Sequence, residues 1–592
     1  MTARPLPLVV AFLLATATVP LAAQSVPFAR KTASGSSEIW RLDELGGPPQ
    51  LVFSGVSFLP VGLAGAAASD RLRMDRPTLQ GLGEPAPHVR LPGGGSLYRI
   101  GWNTDTALLH VDADGVPRVL LAVGGPAALS TRISVSVYGN RALVATALAA
   151  GGDVYLVDLA ASTAVNLTAA SPPLAVDDTS LRLTSQAAWF VVGGVLYRAS
   201  LLPPAEALPV ATAAMGGPVL GELAAATGAD CVAAIVGPPD DIRRIVVVPL
   251  VGSPVLVTPT AGDYDLPSYA DPLGPFLALS PDGDLIAYRE LVGDTEELFV
   301  KDVLPPTSEL HVTIEPQFPV YIDNVGVLGF SAPKLLCFFA GDSNISGVSG
   351  QELMAAADMY MADFSTPAQP VYTNLTQTNG QSVPPFTQPA TLTFAQAVLD
   401  PLAERFLLVG EDEDGSPTLA TFSLVTWAPP GVDTLLASSG STSLETVDLQ
   451  ACGERVIVES LSGDGDGSDS LMLSMLPPVS YNATGLVTLA TVPDSITLDR
   501  WTSDHTGEWG ACVASLAPGI EIPVYAHLDS GLLAPALFMP FGVSPMLAFS
   551  SMGRLYLGLG AAGGPYKFVA FAAPGVGKAL GIPVGDGFPL QF

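Results

Sequence analysis

Short runs of β-branched, aliphatic and aromatic residues recur along the whole chain, each closed off by Gly, Pro, Asp or Ser. Apolar positions at helical spacing are hard to find, so the pattern predicts strands throughout and an all-β fold. Runs such as CVAAIV from Cys231, LLCFFA from Leu335 and ACVASL from Ala511 are largely unbroken, as expected of strands covered on both faces. The 60 Gly and 54 Pro punctuate these runs with turns.

The runs also resemble one another. Eleven copies of one strand type can be followed from EIWRLDEL at Trp40, through SLYRIGW at Tyr98, DVYLVDL at Tyr155, VLYRASL at Tyr197, ELFVKDV at Phe299 and DMYMADF at Tyr360, to PYKFVAF at Phe568, at intervals of 42 to 61 residues. That interval suits a four-stranded propeller blade with loops of varying length. Eleven four-stranded units exceed the usual complement of one ring, so two β-propellers are expected, over 24–313 and 314–592, with the join near Thr313 to Val320. A single ring of seven or eight blades behind a smaller β domain is the alternative, because Val56 to Gly95 matches the repeat poorly. Ring closure would let SSEIWRLDEL complete a blade begun by the last repeat, removing an open sheet edge. In four copies an Asp follows the aromatic by three positions: Trp40/Asp43, Tyr155/Asp158, Phe299/Asp302 and Tyr360/Asp363. At a strand end such a carboxylate is expected to accept turn amides rather than a ligand.

One copy carries more. Ser280-Pro281-Asp282-Gly283 leads into Leu285-Ile286-Ala287-Tyr288 and then Leu298-Phe299-Val300-Lys301-Asp302, while Asn166-Leu167-Thr168 and Asn374-Leu375-Thr376 follow their own repeats. This order of turn, strand and closing tripeptide resembles the repeat of TolB-type, WD-repeat-like β-propellers. The resemblance covers about three repeats, and it implies rings that serve as interaction platforms. The turn has its own logic, since Pro281 fixes φ, Asp282 can close a side-chain turn and Gly283 accepts positive φ.

Charge narrows the partners. Across 592 residues, 56 Asp and Glu outnumber 25 Lys and Arg, giving a net charge of −31. No basic cluster interrupts this balance, which excludes nucleic acid and disfavours an anionic membrane. With 48% hydrophobic residues the chain is not disordered. Residues 1–23 read as an export signal peptide: Arg4 is the one charge, an apolar stretch runs from Leu6 to Leu21, and Leu21-Ala22-Ala23 precedes Gln24. A lipid-anchored lipoprotein would need Cys where Gln24 stands. No later stretch offers about 20 unbroken apolar residues, so no integral membrane span is expected in the mature chain. Cys231, Cys337 and Cys512 sit in apolar runs and are expected as buried free thiols. If any pair were oxidised, Cys452 with Cys512 would be the choice, one repeat apart.

Catalytic signatures are sparse. The five His are scattered, with no HExxH pair, and no Gly-x-Ser-x-Gly pentapeptide marks a hydrolase elbow. Asp464, Asp466 and Ser468, alternating in a Gly-rich loop, form a candidate Ca²⁺ site, although Asp469 and Met475 stand where the calcium-loop template places Gly and Glu. Of the four glycosylation-type sequons, those at Asn166 and Asn374 coincide with the closing tripeptide of the repeat. The expectation is therefore a secreted or periplasmic, non-catalytic propeller that binds a protein or saccharide partner. A carbohydrate-active propeller, either a glycosidase or a polysaccharide lyase, is the alternative.

Overall fold

Among the described residues ten sheets follow one another along the chain, eight of them four-stranded antiparallel meanders with strands in sequence order. This computed structural model describes residues 25–43, 48–63, 88–91, 94–124, 127–136, 139–147, 151–169, 175–202, 206–226, 228–237, 243–257, 277–292, 295–303, 310–312, 324–341, 358–366 and 370–374, and beyond these the strands between 393 and 590. A single four-residue helix, Thr212–Met215, accompanies the strands among the described residues. The first sheet spans 25–123, and the second holds the strands from 128 to 166. The third to tenth cover 176–209, 219–256, 277–311, 324–374, 393–437, 442–493, 497–535 and 543–584.

Within a sheet the second strand is the most deeply covered. Every residue of Ala187–Val192 and of Cys231–Val236 is buried, which explains why these runs show no alternation. Each lies between two neighbouring sheets. One apolar cluster joins the third sheet to the fourth through Trp189, Leu196, Leu223 and Val232, and another joins the fourth to the fifth through Ile235, Val247, Ile286 and Tyr288. Each large aliphatic side chain buried this way contributes roughly 1.5–3 kcal/mol.

The recurring aromatic belongs to the third strand, where it stacks on an aromatic of the second. Phe190 pairs with Tyr197 at 5.5 Å between ring centroids, Tyr288 with Phe299 at 5.7 Å and Phe338 with Tyr360 at 5.6 Å. Each couple is also a direct cross-strand pair, the arrangement in which side chains meet most closely. The Asp three positions on behaves as a turn former: Asp158 Oδ1 accepts the Ala161 amide and Asp363 Oδ1 that of Ser365, both at 2.8 Å.

In the Ser280 turn the Ser280 hydroxyl donates to Asp282 Oδ1 at 2.6 Å and accepts the Leu285 amide at 2.9 Å. Gly283 has φ +75 and donates its amide to the Ser280 carbonyl. The same pattern recurs, without Pro or Asp, at Ser136: the Gly139 amide reaches the Ser136 carbonyl and the Arg141 amide reaches the Ser136 hydroxyl at 3.1 Å. The two turns share a Ser hydroxyl that accepts a strand amide and a Gly three residues on.

The chain closes on itself. Gly587–Pro589 pairs antiparallel with Ser25–Lys31, the Leu590 amide bonds the Pro27 carbonyl, and Leu590 and Tyr556 share an apolar cluster with Val26 and Phe28. Ser37–Asp43, the predicted closing segment, lies next in that sheet. Gln50–Leu59 pairs with Ser37–Asp43 on one side and with Ser96–Trp102 on the other, which merges two groups of strands into one sheet of eight. This merger accounts for the poor repeat match after Val56. The expected join at 313/314 falls beside residues outside the described set, and the fifth and sixth sheets flanking it share one apolar cluster through Leu285, Leu298, Phe330 and Phe338.

Candidate binding face on the inner strands

The first strands of successive sheets lie side by side, from Ala128–Val135 to Val176–Leu183, Val219–Ala226, Leu277–Leu279 and Asn324–Ala332. They are the inner strands of a propeller, around which the other strands radiate. The fourth strands form the outer edge and are often very short, as at Val255–Leu256 and Leu310–His311, which limits edge-to-edge pairing.

The inner strands share a departure from regular pairing. Between Asp177 and Arg182 the strand advances five residues while its partner advances only from Val191 to Trp189. Comparable shifts occur on the first strand of the second, fourth, sixth, seventh, eighth and ninth sheets. Such bulges break the ladder and re-aim side chains, and they are frequent beside functional sites.

The Asp177 bulge is wired by its own side chains. Asp177 Oδ1 accepts the Thr179 amide at 3.0 Å and the Thr179 hydroxyl at 2.6 Å. The Ser180 hydroxyl donates to the Asp177 carbonyl at 2.6 Å and accepts the Val191 amide at 2.8 Å, replacing a lost ladder bond. The buried Arg182 donates through Nη1 to the carbonyls of Thr179 and Leu181, at 2.7 and 2.8 Å. These bonds leave half-buried Asp178 facing the second sheet, where its Oδ2 accepts the Ser130 hydroxyl. Ser130 in turn accepts the Arg132 amide at 3.1 Å, and Thr131 and Arg132 are exposed. Hydroxyl, carboxylate and guanidinium groups thus gather where two inner strands meet, a set suited to hydrogen-bonding a polar partner.

This cluster was not among the residues singled out from the sequence. Asp464 and Asp466 lie outside the described residues, while Ser468 opens the strand Ser468–Met475 and pairs with Pro493. Among the described residues no group of three His, Cys, Asp or Glu side chains could hold a metal ion. The Asn166 sequon is tied into the fold: its Oδ1 accepts both the amide and the hydroxyl of Thr168, at 2.9 and 3.1 Å. Cys231 and Cys337 are buried free thiols and Cys512 is buried, while Cys452 falls outside the described residues, and with it the conditional pairing. Burial, reinforced by the carboxylates of Asp230, Asp282 and Asp284, pushes the Cys231 thiol up to about 12. No helix among the described residues is long and apolar enough to cross a membrane.

No protein-family model matches the chain, and no curated protein matches it. Among solved structures it is similar to TolB from Acinetobacter baumannii, at 16% identity and a TM-score of 0.23, over 49% of this chain and 65% of that one. It is also similar to a prolyl endopeptidase, at 11% identity and a TM-score of 0.27, over 61% of this chain and 49% of that one. A β-propeller domain from Myceliophteria thermophila matches at 12% identity and a TM-score of 0.23, over 57% of this chain and 92% of that one. The chain thus spans just under two thirds of TolB and about half of the endopeptidase. The propeller assignment rests on the sheet order, the adjacent inner strands and the closing strand.

Proposed function

We propose that this chain is an exported, secreted or periplasmic propeller that acts without catalysis, binding a protein or saccharide partner through its inner-strand face. The supporting observation is the bridge from Ser130 to Asp178, which holds two bulged inner strands so that Thr131, Arg132 and Asp178 are presented together. The net charge of −31 favours a cationic or neutral partner over a polyanion. Two propeller units, 24–313 and 314–592, held together by the shared cluster and the closing strand, remain the proposed organisation.

The test is capture from a native envelope fraction with tagged wild type and with a Thr131→Ala/Asp178→Ala variant that keeps the wild-type circular dichroism. Wild type should recover a partner that the variant recovers several-fold less. Identical recovery by both, or nothing above background, counts against the reading, and turnover of any polysaccharide in a panel would overturn its non-catalytic part.

A further inference from the structure

The joint between the first and second sheets is crossed by a strand as well as by side chains. Besides an apolar cluster around Leu97, Leu108, Leu129, Ile133 and Val157, it uses polar ties. Arg99 crosses it, with Nε donating to the Leu129 carbonyl at 2.9 Å and Nη1 to the Pro60 carbonyl at 3.3 Å. Arg118 Nη1 reaches the Ser162 hydroxyl of the second sheet at 3.4 Å. The two-residue strand Gly62–Leu63, which continues from the first sheet, pairs in parallel with Arg132 and Ile133 on the inner edge of the second.

His110 sits in this joint, on the face that Leu97 and Leu108 share, and is only 7% exposed. Its Nδ1 is buried and has no hydrogen-bond partner among the described residues. A neutral imidazole carries one N–H, and with no acceptor at Nδ1 that hydrogen belongs on Nε2. A second proton must then go to Nδ1, where it would be a charged donor in an apolar cluster. The charged groups acting on the ring are Asp112, which favours protonation, and Arg118, its cross-strand neighbour, which opposes it. Asp112 is already engaged by Arg118 at 3.2 Å and by the turn amides of Asp114 and Val116. The second sheet faces the ring with apolar side chains from the cluster, and the neutral Ser162 hydroxyl meets Arg118 at the rim.

We propose that His110 is an acid-sensitive latch: its protonation at Nδ1 opens the joint and unseats Gly62–Leu63 from the inner edge of the second sheet. Burial holds the imidazole below its ordinary value of 6.5, so the latch stays shut at neutral pH. As pH falls below that value, the opened chain takes up a proton that the closed one resists, and the closed state loses ground. The opening uncovers Ile133 and frees the backbone of the already exposed Arg132 beside Ser130, which concerns the binding face only if the function proposed above is correct.

Hydrogen exchange of the full chain, expressed as protection factors, tests the latch without any ligand. Between about pH 7.5 and about pH 5, protection over 60–63 and 129–134 should fall at least about tenfold in wild type and stay level in His110→Gln. Asp112→Asn, which keeps the turn-capping oxygen but removes the charge that favours protonation in the closed joint, should deepen the loss at acidic pH, because the closed ring then resists the proton more while the opened one does not. Equal losses in wild type and His110→Gln, no loss in wild type, or a loss in Asp112→Asn no deeper than that of wild type would each overturn the proposal. The capture experiment reads the binding function separately, so either idea can fail alone.

Discussion

Ser185 and Asp230 belong to different sheets, yet the Ser185 hydroxyl lies 3.0 and 2.9 Å from the two carboxylate oxygens of Asp230. The Gln186 amide bonds the same carboxylate at 2.8 Å, so one turn of the fourth sheet caps a turn of the third. Asp230 adopts φ +49, a conformation that Asn tolerates and Ala does not. Removing a nearly buried, charge-assisted acceptor costs about 1.5–3 kcal/mol. Denaturant unfolding should therefore rank wild type above Asp230→Asn and Asp230→Ala lowest, and equal midpoints for the two variants would refute the role given to backbone conformation.

Gly283 is fixed twice over. Its φ of +75 disfavours any side chain, and a Cβ there would stand 2.9 Å from both Ala229 Cβ and Cys231 Sγ of the preceding sheet. Strain of about 1–2 kcal/mol and overpacking of about 1–3 kcal/mol act together. Gly283→Ala is expected to lose about 2–4 kcal/mol, and Gly283→Ala with Cys231→Ala should recover part of that loss if the contact with Sγ is real.

Cys231 gives a reactivity test with a defined sign. A thiol held near 12 by burial and three carboxylates stays protonated far above the ordinary value of 9.0. The folded protein should therefore resist maleimide at Cys231 from neutral pH to about pH 9, whereas the denatured chain reacts at once. Because the unfolded thiol ionises first, this contribution to stability is complete below 9.0 and declines as pH rises toward about 12. The difference in stability between wild type and Cys231→Ala should shrink across that window.

A protease site inserted between Thr313 and Val320 tests how the two proposed units are held. The cluster shared by Leu285, Leu298, Phe330 and Phe338, together with the pairing of Ser25–Lys31 with Gly587–Pro589, should keep the halves together after the cut. Size exclusion in native buffer is expected to show one peak at the uncut position. Separation into two folded fragments would mean that these contacts contribute little.

The recurring aromatics were legible in the sequence because Tyr197, Phe299 and Tyr360 each fill the same stacked position on a third strand. The Ser280 turn was legible because its chemistry is local. Its relative at Ser136 escaped notice because Val137 and Tyr138 occupy the places of Pro and Asp, although a hydroxyl with Gly three residues later would have found it. The inner-strand face was not legible for a different reason. A bulge such as Asp177 to Arg182 inserts residues that spoil strand alternation, so Asp177-Asp178-Thr179-Ser180 reads as a loop. Contacts such as Ser130 with Asp178 depend on how neighbouring sheets stack, and the strand pattern carries no trace of that.

The pairing of Phe28 with Pro589 has a consequence in time. Synthesis proceeds from the N-terminus, so the strand Ser25–Lys31 emerges early with one edge unclaimed and must wait for a partner about 560 residues later. Local meanders can form as each emerges, but among the described strands this last pairing has the greatest sequence separation and the largest loop to close. Until then the nascent chain carries an adhesive edge, and in the cell the slowest hazard is one molecule's open strand meeting another's.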